Sequence, residues 1–352
     1  MKINRSRVLV VSALALASAQ AFADGPSFYA LVDGGIASSS ITGAGTTASK
    51  SEFVTGGVAP TFAGFKLEKS DSGITYGVQL EQGFTLNSST GSFYSFGNGD
   101  ILNRQKNFYV SSGAGKFVVG VQSNVAFVNI LGVDPRGGSN FGSSLAMLDA
   151  QGGLGTVDNA SVSYSSPEMS GFKVALQYVP ESTTATNDVK TGSRAAINYG
   201  SGNLTVGLST YASQINGTNV KDKTGTILGA TYKMGSFTLK GITASQNTNT
   251  YTSALTTNGI GGAYSLSDKL SFDLGYYNAT SSIGNFKVDT TALGAYYNLG
   301  KDLKVYAQYA VVDNKGSSTS AWNFAGPSII TGDLTAGQKA ETLNVGLLFS
   351  YF

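Results

Sequence analysis

Residues 73–84 read "GITYGVQLEQGF". Ile74, Tyr76, Val78, Leu80 and Phe84 fall on one parity, and Thr75, Gly77, Gln79, Glu81 and Gly83 on the other. Side chains alternate between the faces of a strand, so this stretch is a strand with one apolar and one polar face. The alternation returns in "GFKVALQY" (171–178), "NLTVGLSTY" (203–211), "LSFDLGYY" (270–277) and "LKVYAQYAV" (303–311). In the last two, Asp273, Gly275, Lys304, Tyr306 and Gln308 share the polar parity.

The punctuation between such stretches carries more than the stretches themselves. Tight turns stand at "SDSG" (70–73), "SGAG" (112–115), "PEMSG" (167–171), "GSGN" (200–203), "MGS" (234–236), "LSDK" (266–269) and "LGKD" (299–302). Longer polar stretches lie between them, at about 41–56, 86–103, 123–157, 180–193, 213–224, 246–258, 280–288 and 313–340. Seven short and eight long connections alternate, which predicts about sixteen antiparallel strands. An even strand number, short turns at one end and long loops at the other are the layout of a transmembrane β-barrel. In lipid an open sheet edge leaves backbone groups without partners, so the sheet has to close on itself. Sixteen strands are too many for side chains to fill the middle, which implies a water-filled channel lined by the polar parities.

The composition agrees. The chain has 46 Gly, 18 Tyr and 19 Phe, with only 6 Pro and 12% charged residues. Turns use the glycines, and the aromatics suit the two interfacial girdles of a barrel. No stretch beyond the N-terminus is long and apolar enough for a transmembrane helix. A soluble exported sandwich, propeller or solenoid would show linkers or a repeated motif, and the chain shows neither.

The start, "MKINRSR", is basic, an apolar run follows to about Ala19, and "AFA" (21–23) offers small residues around Phe22. This is the layout of a secretory signal peptide over 1–23, cleaved between Ala23 and Asp24 and followed by one barrel domain over 24–352. Loss of Lys2, Arg5 and Arg7 from 23 basic residues leaves 20 against 21 acidic ones. That balance excludes a nucleic-acid binder of the usual basic kind.

There is no His and no Cys. Ser-His catalysis and zinc sites of the His or Cys type are thereby excluded, and no metal, cofactor or enzymatic activity is expected. "SGAGKF" places Gly115 before Lys116, but a phosphate loop would need Gly at position 110 and Ser or Thr at 117, where Val110 and Phe117 stand. Trp322, in the last long stretch, is assigned to packing or a girdle rather than to ligand stacking.

Four segments resemble the general porins of Gram-negative outer membranes, in their β-proteobacterial form. "SFYALVDGGI" (27–36) resembles the family's opening strand, and "NVGLLFSYF" (344–352) its terminal strand. "DNASVSYSSPEMSGFKVALQY" (158–178) and "LGAYYNLGKDLKVYAQYAVVDNKG" (293–316) resemble two more specific family segments. The resemblance spans essentially the whole chain after residue 23. It implies a sixteen-stranded homotrimeric barrel in the outer membrane, passing small hydrophilic solutes and ions by passive diffusion. It also implies that Phe352 is an interfacial aromatic and the signal read by the barrel-insertion machinery.

The family's third long loop folds into the barrel and narrows it, which implies that role for 123–157 here. Its acids are Asp134 and Asp149, with Asp158 just after, and it carries Arg136. The family sets loop acids against wall cations. Two of those wall positions differ: the family's Arg falls on Phe62 and on Val121, while its Lys is kept as Lys66. Lys66 and Lys116 are therefore the candidate wall cations, with Arg104 a third that shares the parity of Phe108 and Val110. Alongside a passive channel stands a substrate-selective one with a saturable site, for which the changes at Phe62 and Val121 leave room. An adhesive or antigenic surface protein and a barrel enzyme complete the readings.

Overall fold

The computed structural model describes residues 25–86, 102–145, 148, 154–181, 189–215, 223–248, 251–281, 285–317 and 334–352. The expected signal segment, the Ala23–Asp24 cleavage point, Asp149 and Trp322 lie outside the described residues. No described helix is long and apolar enough to cross a membrane.

The strands are β1 (Gly25–Gly43), β2 (Thr46–Thr55), β3 (Phe62–Asp71), β4 (Ile74–Gly83), β5 (Gln105–Ser112) and β6 (Gly115–Ser123). After helix α1 (Val125–Val133) come β7 (Val157–Ser165), β8 (Phe172–Val179), β9 (Val189–Ser201), β10 (Leu204–Ile215), β11 (Lys223–Met234) and β12 (Phe237–Thr248). The chain ends with β13 (Tyr251–Ser265), β14 (Leu270–Ser281), β15 (Phe286–Asn298), β16 (Leu303–Asn314) and β17 (Lys339–Tyr351).

From β3 to β17 each strand pairs antiparallel with the next, and β1 joins both ends of that run. The closing ladder sets Ala30 opposite Tyr351 and runs to Thr42 opposite Lys339. β1 thus closes the sheet on itself, with ladders on both of its sides.

The seven tight turns all separate paired strands, as read from the sequence. The expected sixteen wall positions are present, with one strand added. Among the described residues there are seventeen strands, because the stretch 41–56, taken as a long loop, is mostly β1 and β2 around a turn at Ala44 and Gly45. β2 pairs with residues 34–43 of β1, and β3 with residues 25–31 of the same edge. They are two pieces of one wall position, interrupted at residues 56–61, so the barrel has sixteen positions and one extra strand. Strands also run further into other polar stretches than expected: only residues 249 and 250 separate β12 from β13. Ladder hydrogen bonds come from the backbone, so a strand outside the apolar band persists without apolar side chains.

One face of the wall is apolar and exposed, with Leu208, Leu239, Leu274, Leu293 and Leu347 on it. The opposite face holds Gln177, Lys240, Gln308 and Asn344, all buried. Outward rings pair beside the short turns: Phe117 with Tyr164 at 4.8 Å, Phe172 with Tyr199 at 4.6 Å and Phe237 with Tyr264 at 4.4 Å. These are the aromatics of one interfacial girdle. Phe352 follows the last strand by one residue, and its ring stacks on Tyr29 of β1 at 6.1 Å.

Candidate functional site

The segment joining β6 to β7 carries the charges of interest. Its helix α1 starts at Asn124, whose side-chain oxygen accepts from the N–H groups of Ala126 (2.9 Å) and Phe127 (3.4 Å). That satisfies two donors that the first turn leaves open. Val125 N–H donates to Gln177 of β8 at 2.9 Å. The buried residues Ala126, Ile130 and Val133 then pack with Tyr211, Ile227, Ile242 and Ala244 of β10 to β12. The fit is close: a Cβ on Gly229 would lie 2.5 Å from Val133. Nine residues are too few for an isolated helix in water, so this packing holds α1.

Asp134 ends the helix and organises the turn after it. One carboxylate oxygen accepts from Arg136 and Gly138 N–H, both at 2.9 Å. The other accepts from Ser144 N–H at 3.0 Å and the Ser144 hydroxyl at 2.5 Å. From the wall, Tyr277 of β14 donates to the same carboxylate (3.3 Å), and Lys240 of β12 donates to the Asp134 backbone carbonyl (3.0 Å).

Arg136 is fully buried. Its Nε donates to Asp273 of β14 at 2.9 Å, and its Nη2 to Gln308 of β16 (2.7 Å) and the Tyr296 hydroxyl of β15 (3.3 Å). Its Nη1 donates to the carbonyls of Phe141 and Gly142. Burial works against the cation, but the Asp273 carboxylate outweighs it and holds Arg136 above the ordinary guanidinium range. Ser139 shares the Gln308 acceptor at 2.9 Å. The segment thus touches β10 to β12 through its helix and β14 to β16 through Arg136.

The other sequence candidates fall in three places. Asp158 lies at the start of β7, where both its oxygens accept from Arg194 of β9, at 2.7 and 3.2 Å. Arg104, just before β5, pairs with Glu81 at 2.6 Å and lies 4.5 Å over the Phe62 ring. Lys66 stands 5.6 Å from the Tyr29 ring centre, and Lys116 4.2 Å from that of Tyr109, beside the turn that opens β6. Asp134 and Arg136 are brought together; Lys66 and Lys116 are not brought to Asp134, which Lys240 and Tyr277 engage instead. Among the described residues, the segment's ion pair with the wall sets the cation, Arg136, on the segment and the acid, Asp273, on the wall.

Sequence reasoning missed Lys240, Tyr277, Tyr296 and Arg194 as partners. Asp273 and Gln308 were visible only as residues of the polar parity. Among the described residues no cluster of three or more His, Cys, Asp or Glu side chains suits a metal ion. The arrangement is built of ion pairs and hydrogen bonds that fix a segment in place.

The sequence itself is matched at family level. The sequence profile of the Gram-negative porins aligns with residues 9–317. The chain belongs to the Gram-negative porin family. No curated protein sequence matches this porin. Among solved structures it is similar to the anion-selective porin from Comamonas acidovorans, at 18% identity and a TM-score of 0.80, over 94% of this chain and 100% of that one. It is also similar to the trimer form of OmpT, an outer membrane protein of Vibrio cholerae (16% identity, TM-score 0.63, 94% and 100% covered). A mutant porin of Rh. blastica gives 14% identity and a TM-score of 0.60, with 93% and 100% covered. At these identities the likeness shows the fold. Family and fold place the porin in the outer membrane as a channel for passive diffusion, and both are those of non-enzymatic channels.

Proposed function

We propose that the segment 124–156 lies inside this porin's lumen and sets its narrowest point, and that the open path prefers small anions. The observation that carries the first part is the double attachment of the segment, by α1 to β10–β12 and by Arg136 to β14–β16. A strap that leaves the wall at β6 and meets the buried face of β14–β16, on the far side of the ring, is shortest through the middle. The second part rests on which charges are neutralised. Glu81, Asp158 and Asp273 each hold an arginine, whereas Lys66 and Lys116 face aromatic rings. Glu68 acts on Lys116, but so do the cations Lys66 and Lys173. Unbalanced lumen charge sets ion preference. The Comamonas porin is anion-selective by its own description.

A trimer is the assembly we propose, supported by the trimer form of the Vibrio protein. The polypeptide is proposed to start at Asp24 after removal of residues 1–23, and Phe352 to serve the barrel-insertion machinery.

The test is single-channel recording in a planar bilayer with a salt gradient. Stepwise ohmic currents with a reversal potential on the anion side are expected. In the variant carrying Lys66→Glu and Lys116→Glu together, the reversal potential should move toward the cation side. An unchanged permeability ratio would sink the lysine assignment. Block of the current by one solute at low concentration would instead support a substrate-selective channel.

A further inference from the structure

The interruption between β2 and β3 has a role of its own. Residues 56–61, "GGVAPT", leave the ladder and turn toward the buried face. Gly56 takes φ +80°, a left-handed conformation that favours glycine. The excursion is held at its base by Asp33 of β1, which is fully buried. One Asp33 oxygen accepts from Val58 N–H (2.6 Å) and Ala59 N–H (2.8 Å), and the other from the Tyr306 hydroxyl (2.6 Å). Thr61 and Asp33 exchange two further bonds, at 2.9 and 3.0 Å. Gly57 packs against Asn344, whose amide nitrogen a Cβ there would meet at 2.0 Å.

The tip of this excursion meets the tip of the strap. Asn140 N–H donates to the Val58 carbonyl (3.0 Å), and the Asn140 side chain to the Gly56 carbonyl (2.8 Å). Gln308 joins them: its oxygen accepts from Arg136 and Ser139, while its nitrogen donates to the Gly57 carbonyl at 3.1 Å. These bonds use backbone groups and buried or half-buried side chains. The side chains of Val58, Ala59 and Pro60 are half-buried beside this junction, Val58 and Ala59 packing with one side against the cluster that holds Phe62 and Tyr306.

We propose that residues 57–60 form a second, wall-borne part of the constriction, an apolar lip on which solutes with a non-polar face are sorted. This rests on the lumenal placement of 124–156, because the lip is defined by its junction with that segment. Apolar surface beside a charged path gives an uncharged face of the solute somewhere to slide while its charge stays solvated. Val58, Ala59 and Pro60 are therefore specificity-determining residues for permeation, and Asp33 and Asn140 are positioning residues.

The chain has no cysteine, which makes the test direct. Ala59→Cys, with Val58→Cys as the second variant, is recorded in a bilayer while a sulfonate-bearing or a trimethylammonium-bearing methanethiosulfonate is added. A stepwise fall in current is expected with either reagent, the two adducts moving the reversal potential in opposite directions and the wild type not responding. Full labelling with unchanged current and reversal potential would overturn the lip. So would cysteines that react only after the barrel is unfolded. A wild-type chain that conducts nothing would instead refute the channel itself, so the two failures are distinct.

Discussion

Replacing Arg136 by alanine should release the strap between β6 and β7 while leaving the barrel closed. The guanidinium serves three wall residues and two carbonyls of its own segment. Its loss leaves the Asp273 carboxylate, only 12% exposed, without its cation. Breaking one partner out of a buried ion pair costs about 3–5 kcal/mol, because the remaining charge stays buried. The α1 packing on β10–β12 is untouched, so the strap should stay attached at its first end and come loose at its second. The expected signs are protease cleavage within 134–156 and noisier single-channel currents, with detergent-resistant barrel structure retained. Arg136→Lys should give an intermediate result, since an ammonium keeps the charge but cannot reproduce the planar fork. Protection equal to the wild type in Arg136→Ala would mean that the helix and the bonds of Ser139 and Asn140 hold the strap without the guanidinium.

The attachment should also be insensitive to pH across the neutral range on the arginine side. The folded-state pKa of Arg136 is raised above its ordinary value by the Asp273 carboxylate, against the effect of burial. A raised basic pKa contributes stability that is complete below the unfolded value and is lost only as pH rises through the folded one. Protease protection measured between neutral pH and mild alkali should therefore stay flat, and a loss beginning near neutrality would point to another group.

The wall was legible in the sequence where apolar and polar residues alternate strictly. β4, β8, β10, β14 and β16 start within a residue of where alternation places them, because one face must be apolar against the membrane. β2 was not legible. Its sequence, "TTASKSEFVT", has Phe53 and Val54 as its large apolar residues, and the rest is polar. It is held by backbone pairing to β1, which leaves no mark on side-chain pattern. The site divides the same way. Asp134 and Arg136 announced themselves as charges in a glycine-rich segment. Their partners lie about a hundred or more positions away, 137 in the case of Asp273. A single sequence shows that Asp273 and Gln308 share the polar parity, but not which residue of the strap each one meets. The reading of loop acids against wall lysines came from resemblance, and the change of Arg to Phe62 and Val121 was the available sign that the pairing here is different.

Leu274→Arg should strongly impair folding into a bilayer, whereas Ser271→Arg on the same strand should be nearly silent. Leu274 is 52% exposed and lies opposite Leu293 of β15 and Gly262 of β13, well inside the ladder. On the lipid face an arginine near the midplane costs about 2–4 kcal/mol, falling to about 0–1 kcal/mol near the interfaces. Ser271 has the opposite parity and stands one residue into β14 from a short turn, so its side chain meets water whichever way it extends. The measurement is the urea midpoint for folding into phospholipid vesicles, read by the heat-dependent shift in gel mobility. Equal midpoints for the two variants would mean that the exposed leucines do not face lipid, since no other environment penalises a charge at position 274 and accepts one at 271. The comparison tests the barrel more directly than any conductance does, because a soluble closed sheet would tolerate arginine on its outer face at both positions.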